Sequence, residues 1–151
     1  MKTFLQTDER WSGVILRMTL GIVMFPHGAG KALGWFGGHG FAGTMGSFTT
    51  QMSLPAVLAF LVILAEFGGS LGLVVGLLTR VAAFGIACVM TGAIVLVHWH
   101  NGFFMNWFGQ PQGEGFEYHL LAIGISLALM IAGGGKWSLD GALAQRKSLE
   151  A

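Results

Sequence analysis

Long apolar runs alternate along this chain with short glycine-rich or charged stretches. A hydrocarbon core about 30 Å thick takes roughly 20 helical residues to cross. Runs at 12–31, 55–78, 81–101 and 117–135 meet that length, and the pattern predicts four transmembrane helices. Pro26 lies inside the first run; its missing N–H frees the Ile22 carbonyl, so a kink is expected there. The fourth run stops at Gly133-Gly134-Gly135, a helix terminator. Between the first two runs, residues 41–49 fit a short interfacial helix, which Gly34, Gly37, Gly38 and Gly40 allow the chain to turn into tightly. The predicted fold class is therefore all-α: a four-transmembrane-helix bundle with a short interfacial helix after the first span. The whole of 1–151 forms one domain, with 136–151 as its tail.

Composition supports that reading. The chain is 54% hydrophobic and 10% charged, where soluble domains carry about a quarter charged residues, and its mean hydropathy is +0.69. The principal partner is the lipid bilayer. The net charge of +1 says nothing about nucleic acid, but no basic, aromatic-interleaved patch appears, and no nucleic-acid partner is expected. Cys88 is the single cysteine, which excludes an internal disulfide and a C-x-x-C redox pair. No haem, flavin or iron–sulfur signature appears, so a redox cofactor would be diffusible or belong to another subunit. Arg17 near the start of the first run, and Pro26, His27 and Lys31 at its far end, do not fit a cleavable signal, and the segment is expected to remain as a helix.

Charge orients the spans. Lys2 and Arg10 precede the first, Arg80 lies in the second turn, and Lys136, Arg146 and Lys147 follow the fourth, whereas 32–54 and 102–116 hold no lysine or arginine. Cationic flanks stay in the cytoplasm, so both termini are predicted inside and both long loops outside. Trp35, Phe36, Phe41 and Phe48, then Phe103, Phe104, Trp107, Phe108 and Phe116, give those loops the aromatic character of a membrane interface. Gly68, Gly72 and Gly76 recur every four residues on the second helix. Such a ridge permits close helix packing, within one bundle in preference to a homo-oligomer seam.

Ionisable groups inside a membrane are costly and mark polar sites. At about 100° per residue, Arg17, Gly21, Met24, Gly28 and Lys31 fall on one face of the first helix, with His27 to one side. Glu66 is the acid deepest in the membrane, and helices centred on one midplane would set it between the levels of Arg17 and Lys31. An Arg17–Glu66 pair is expected, either fixing helix register or tuning Glu66 as a proton-accepting or ligand-binding group. His27, His98 and His119, with Lys31, Glu114 and Glu117, form a titratable constellation beneath the outer aromatics; His39 and His100 are read as facing water or headgroups. The pairs His98/His100 and Glu117/His119 are two residues apart, pointing to opposite helix faces, which argues against a metal site. A quinone asks for less: an apolar slot, one or two donors to its carbonyls and a proton path.

Four helices carrying G-I-V-M-F-P-H-G-A-G-K, A-E-F-G-G-S-L-G-L-V-V-G-L-L-T-R-V-A-A at 65–83, H-W-H-N-G-F-F at 98–104, G-E-G-F-E-Y-H at 113–119 and G-G-G-K-W-S-L-D-G-A at 133–142 resemble the DoxX family, over about Gly13 to Ala142. The resemblance implies a bacterial or archaeal inner-membrane protein. It also implies a link to membrane oxidoreductase complexes, including thiosulfate:quinone oxidoreductase, and to thiol or oxidative-stress responses. The positions matching the family pattern are Arg17, Gly28, Lys31, Glu66, His98, Gly102, Phe103, Glu117 and Asp140. The expected function is that of a membrane subunit of a quinone-linked oxidoreductase. Glu66 and Arg17 are its catalytic pair, and Lys31, His27, His98, Glu117, His119 and Trp35 its ligand-binding residues, with a diffusible quinone as cofactor and a soluble or membrane redox protein as partner. The alternatives are a non-catalytic membrane anchor for a soluble redox enzyme and, less favoured, a small-molecule carrier.

Overall fold

The computed structural model describes residues 10–109 and 113–149; Lys2 and the side chain of Lys147, both used above for orientation, lie outside what it describes. Its elements are helical throughout, with no strand among the described residues. Helix α1 spans Trp11–Leu33, runs through Pro26 and ends at Gly34, whose left-handed backbone (φ 77°) turns the chain and returns its N–H to the Gly30 carbonyl. A 3-10 turn, Trp35–Gly37, leads into α2, Gly40–Thr50. That short helix covers the predicted 41–49.

Helix α3 spans Ala56–Val75 and α4 spans Thr79–Asn101. The predicted second run overshoots by three residues because Gly76 takes φ 70° and stops the helix, and Leu78, at φ 49°, starts the next. Both helices contain a π-helical segment, Leu64–Gly68 in α3 and Ile94–His98 in α4, the latter followed by a 3-10 turn at Trp99–Asn101. Helix α5, Glu117–Ala132, ends three residues before the predicted 135, since Gly133 already has φ 81°. Helix α6 occupies Leu139–Leu149.

Three helices, α1, α3 and α4, are long and apolar enough to cross a membrane; α5 is apolar but shorter, at 16 residues. Helix α1 packs on α3, α3 on α4, α4 on α5 and α5 back on α1. Leu20 and Met24 of α1, Leu73 of α3, Ala83, Ile86 and Met90 of α4, and Ala122 and Leu129 of α5 fill the centre. Many of the remaining large aliphatics face outward, among them Ile15, Ile22, Val57, Leu121 and Ile131. An apolar exterior around a small core is what a protein solvated by lipid requires.

Glycines set the register of α1. A Cβ at Gly13 would lie 2.7 Å from the Gly135 backbone, one at Gly21 3.0 Å from the Ser70 carbonyl, and one at Gly28 2.5 Å from the Phe67 backbone. Helix α1 is thus in backbone contact with its neighbours at three levels. On the predicted glycine ridge of α3, Gly72 lies against the Leu77 carbonyl and Ala82, and Gly76 against Ser138, so both are covered from within the chain.

Candidate functional site

The buried charges separate to opposite ends of the helices. At the end holding Arg10, Arg80 and Lys136, the buried Arg17 guanidinium donates to five carbonyls. Nε reaches Gly134 at 2.9 Å, Nη1 reaches Leu73 and Val74 at 3.1 and 2.5 Å, and Nη2 reaches Trp137 and Lys136 at 3.1 and 3.4 Å. Those of Leu73 and Val74 are carbonyls of the last turn of α3, where the helix dipole favours a cation. Beside them the buried Asp140 carboxylate accepts from Leu78 N at 2.7 Å and Thr79 N at 2.8 Å, capping the N-terminus of α4.

Arg17 therefore does not pair with Glu66. Gly28, packed against the Glu66–Phe67 backbone, marks the level of Glu66 on α1 and is eleven residues from Arg17, or about 16 Å at 1.5 Å per residue. The glycine contacts slide α3 along α1 from the midplane-centred register, and Arg17 satisfies the carbonyls ending α3 instead.

Glu66 pairs with Lys31, Nζ to Oε2 at 2.5 Å, with Glu66 buried and Lys31 partly exposed. Two local features bring them together. Gly28, one turn before Lys31, brings α1 against the Glu66–Phe67 backbone, and the π segment at Leu64–Gly68 widens the turn that carries Glu66. Such bulges recur at functional sites because they re-aim side chains that regular helix geometry would misplace.

Three histidines gather around this pair. His98 and His119 lie with ring centroids 4.2 Å apart and planes tilted by 42°; the Tyr118 ring lies 5.6 Å from His119 and 6.5 Å from His27. His98 Nδ1 lies 2.8 Å from the Glu114 carbonyl, which can only accept, so the neutral ring carries its proton on Nδ1 and leaves Nε2 as an acceptor. His119 is buried, and its Nδ1 has no hydrogen-bond partner among the described residues. Lys31, Glu66, His27, His98, His119, Tyr118 and Glu114 all line one cavity of about 1110 Å3.

The other expected site residues lie elsewhere. Trp35 is exposed and packs against Phe25 and Phe36. The Glu117 carboxylate accepts from Met105 N at 3.0 Å, and that of Glu114 from Asn106 N at 2.7 Å, so both fix the loop between α4 and α5. The two-residue spacing of His98 and His100 separates them as expected, His98 lining the cavity and His100 exposed. Among the described residues no group of three His, Cys, Asp or Glu side chains is arranged to hold a metal. Tyr118, which sequence reasoning passed over, lines the cavity and directs its hydroxyl to Met24 Sδ at 3.5 Å. Its signal was present: it is the only tyrosine of the chain and stands between Glu117 and His119.

A donor–acceptor pair and an imidazole with an orphan nitrogen, lining one mostly apolar cavity, can hold a small molecule by hydrogen bonds and exchange protons with it. A family model described as DoxX matches residues 13–99. Among curated proteins, the chain is 32% identical over 116 residues to "Putative oxidoreductase CatD" of Bacillus subtilis (strain 168), covering 77% of this chain and 76% of that protein. No solved structure matches.

Proposed function

This chain belongs to the DoxX family, and on that footing we propose that it is the membrane subunit of a quinone-linked oxidoreductase system, with the Lys31–Glu66–His119 cavity as its quinone site. The observation that carries the proposal is the buried His119: its Nδ1 has no partner among the described residues, and its side chain lines a cavity whose other polar wall is a lysine–carboxylate pair. A buried polar nitrogen without a partner costs free energy, which a ligand hydroxyl or carbonyl would recover. The residues fit a quinone, which supplies two-electron chemistry coupled to proton uptake. Lys31 donates toward one oxygen, His119 binds the other, and the Glu66 carboxylate accepts and returns a proton beside the first. His98, anchored by the Glu114 carbonyl, joins His119 to the outer loop as a proton path.

In this reading α5 completes a bundle of four membrane-spanning helices. The end holding Arg10, Arg80 and Lys136 faces the cytoplasm with both termini, and the aromatic loops face outward. The redox partner is a soluble or membrane protein that supplies or accepts the electrons. The relative's printed name, an oxidoreductase, agrees in reaction class.

The test is thermal. Duroquinone and decylubiquinone should each raise the melting temperature of the purified protein, and Glu66→Gln should remove the shift. No shift with any quinone overturns the proposal. A second reading has its own support, since the 2.5 Å Lys31–Glu66 bridge is satisfied within the protein and could serve only to lock α1 to α3 in a non-catalytic anchor. Under that reading Glu66→Gln collapses expression and no quinone shifts the wild-type melt.

A further inference from the structure

The cavity that reaches the Lys31–Glu66 pair continues as a groove between α3 and α4, down to Leu77 and Val81. Its polar groups gather at one end. On the α4 side it is lined by Leu96, Gly92, Cys88, Gly85 and Val81, spaced three or four residues apart and so on one helix face. The fifteen residues from Val81 to Leu96 give it a length of about 22 Å at 1.5 Å per residue.

The shape follows from the packing. At the π segment and just below it the two helices approach closely: Ala65 lies 3.2 Å from a Cβ built on Gly85, and Ala82 lies beside Gly69. Above it, the Ala56–Ile63 half of α3 leans on α2 and α1, opening a wedge toward α4. A Cβ built on Gly92 would meet nothing within 4 Å. Leu58, Leu61 and Leu96 along the groove are about half exposed, so it opens sideways, where lipid would lie.

We infer that this groove holds the isoprenoid tail of the quinone whose ring lies among Lys31, Glu66 and His119, and that the quinone enters through it from the bilayer. The inference rests on the quinone reading of the polar cavity. The charge balance favours a quinone over a phospholipid: Glu66 already neutralises Lys31, leaving no fixed positive charge at the groove head for a phosphate, whereas a neutral head with two oxygens meets donors and acceptors on both walls.

Cys88, the chain's single cysteine, lies exposed in mid-groove and serves as the reporter. Full-length protein in nanodiscs is labelled with N-ethylmaleimide alone, with tailed decylubiquinone, with tail-less duroquinone, or with decanol. Decylubiquinone should slow Cys88 labelling at least threefold, while duroquinone raises the melting temperature and leaves the labelling rate unchanged. Gly92→Leu, which places a side chain in open space, should leave the fold and the duroquinone shift intact but abolish the decylubiquinone protection. If both quinones shift the melt and neither protects Cys88, the groove assignment fails and the quinone reading stands. Protection by decanol equal to that by decylubiquinone, or protection that persists in Gly92→Leu, also overturns it. If no quinone shifts the melt, the reading it rests on fails as well.

Discussion

Lys31 on α1 and Glu66 on α3 meet at 2.5 Å across a gap of 35 residues in sequence, and Gly28 is the residue that lets them. A Cβ at position 28 would stand 2.5 Å from the Phe67 N and Cα and 2.6 Å from the Glu66 carbonyl carbon. These are backbone atoms of a packed helix, with no flexible side chain to move aside. Gly28→Ala should push α1 away from the π segment and cost about 1–3 kcal/mol, the usual range for overpacking. The expected result is a lower melting temperature together with a weaker quinone shift; an unchanged melt would show that the contact is looser than this.

The pair itself is open to a double-mutant cycle. Removing one partner of a buried ion pair strands the other and costs roughly 3–5 kcal/mol, whereas replacing both with apolar groups of similar size is often neutral. Glu66→Gln or Lys31→Met alone should therefore lower the melting temperature markedly, with the larger loss expected for Lys31→Met because it leaves the more buried Glu66 carboxylate unpaired. The double variant Lys31→Met/Glu66→Leu should recover most of the stability yet show no response to quinone. Recovery of the melt with quinone response intact would detach the pair from ligand binding.

Arg17 belongs to a different unit. Its guanidinium satisfies carbonyls of Leu73, Val74, Gly134, Lys136 and Trp137, while Asp140 caps α4 beside it. Lys31 is fourteen residues further along α1, about 21 Å away along the axis. Arg17→Lys keeps the charge but loses the planar fork that serves five acceptors. It should cost stability and expression while leaving the half-saturating quinone concentration unchanged in the folded fraction. Asp140→Asn should behave alike, losing up to about 3–6 kcal/mol for two hydrogen bonds to a charged group. A shift in quinone affinity with either variant would place Arg17 back in the ligand site.

The apolar runs and glycine stops made most of the helix map legible, including α2 and the face of α1 that carries Arg17, Gly21, Met24, Gly28 and Lys31. The axial register was not legible. Centring each helix on the membrane put Glu66 nearer Arg17's level than Lys31's, whereas the contacts at Gly13, Gly21 and Gly28 slide the helices until Arg17 meets the end of α3 and Lys31 meets Glu66. The π segments were also hidden, because Leu64–Gly68 and Ile94–His98 carry no composition that separates them from ordinary helix. Spacing did correctly separate His98 from His100. Trp35 and Glu117 sit at the right end of the molecule but are occupied, one by neighbouring rings and the other by the Met105 backbone, and such local use depends on loop geometry that no spacing rule supplies.

His119 separates a structural role from a binding one most directly. Its ring is buried against His98, and Nδ1 finds no partner among the described residues. If the ring only filled space, phenylalanine of similar shape would remove an unsatisfied polar atom, and His119→Phe would melt at the same or a higher temperature with ligand response untouched. If Nδ1 binds a quinone oxygen, the apo protein should still melt no lower, but the half-saturating decylubiquinone concentration should rise about tenfold, the worth of one hydrogen bond of about 1.4 kcal/mol. His98→Phe should have a smaller effect on binding, because its Nδ1 is already held by the Glu114 carbonyl. Equal losses for the two variants would mean that the imidazole pair acts as a unit and that His119 has no separate contact with the ligand.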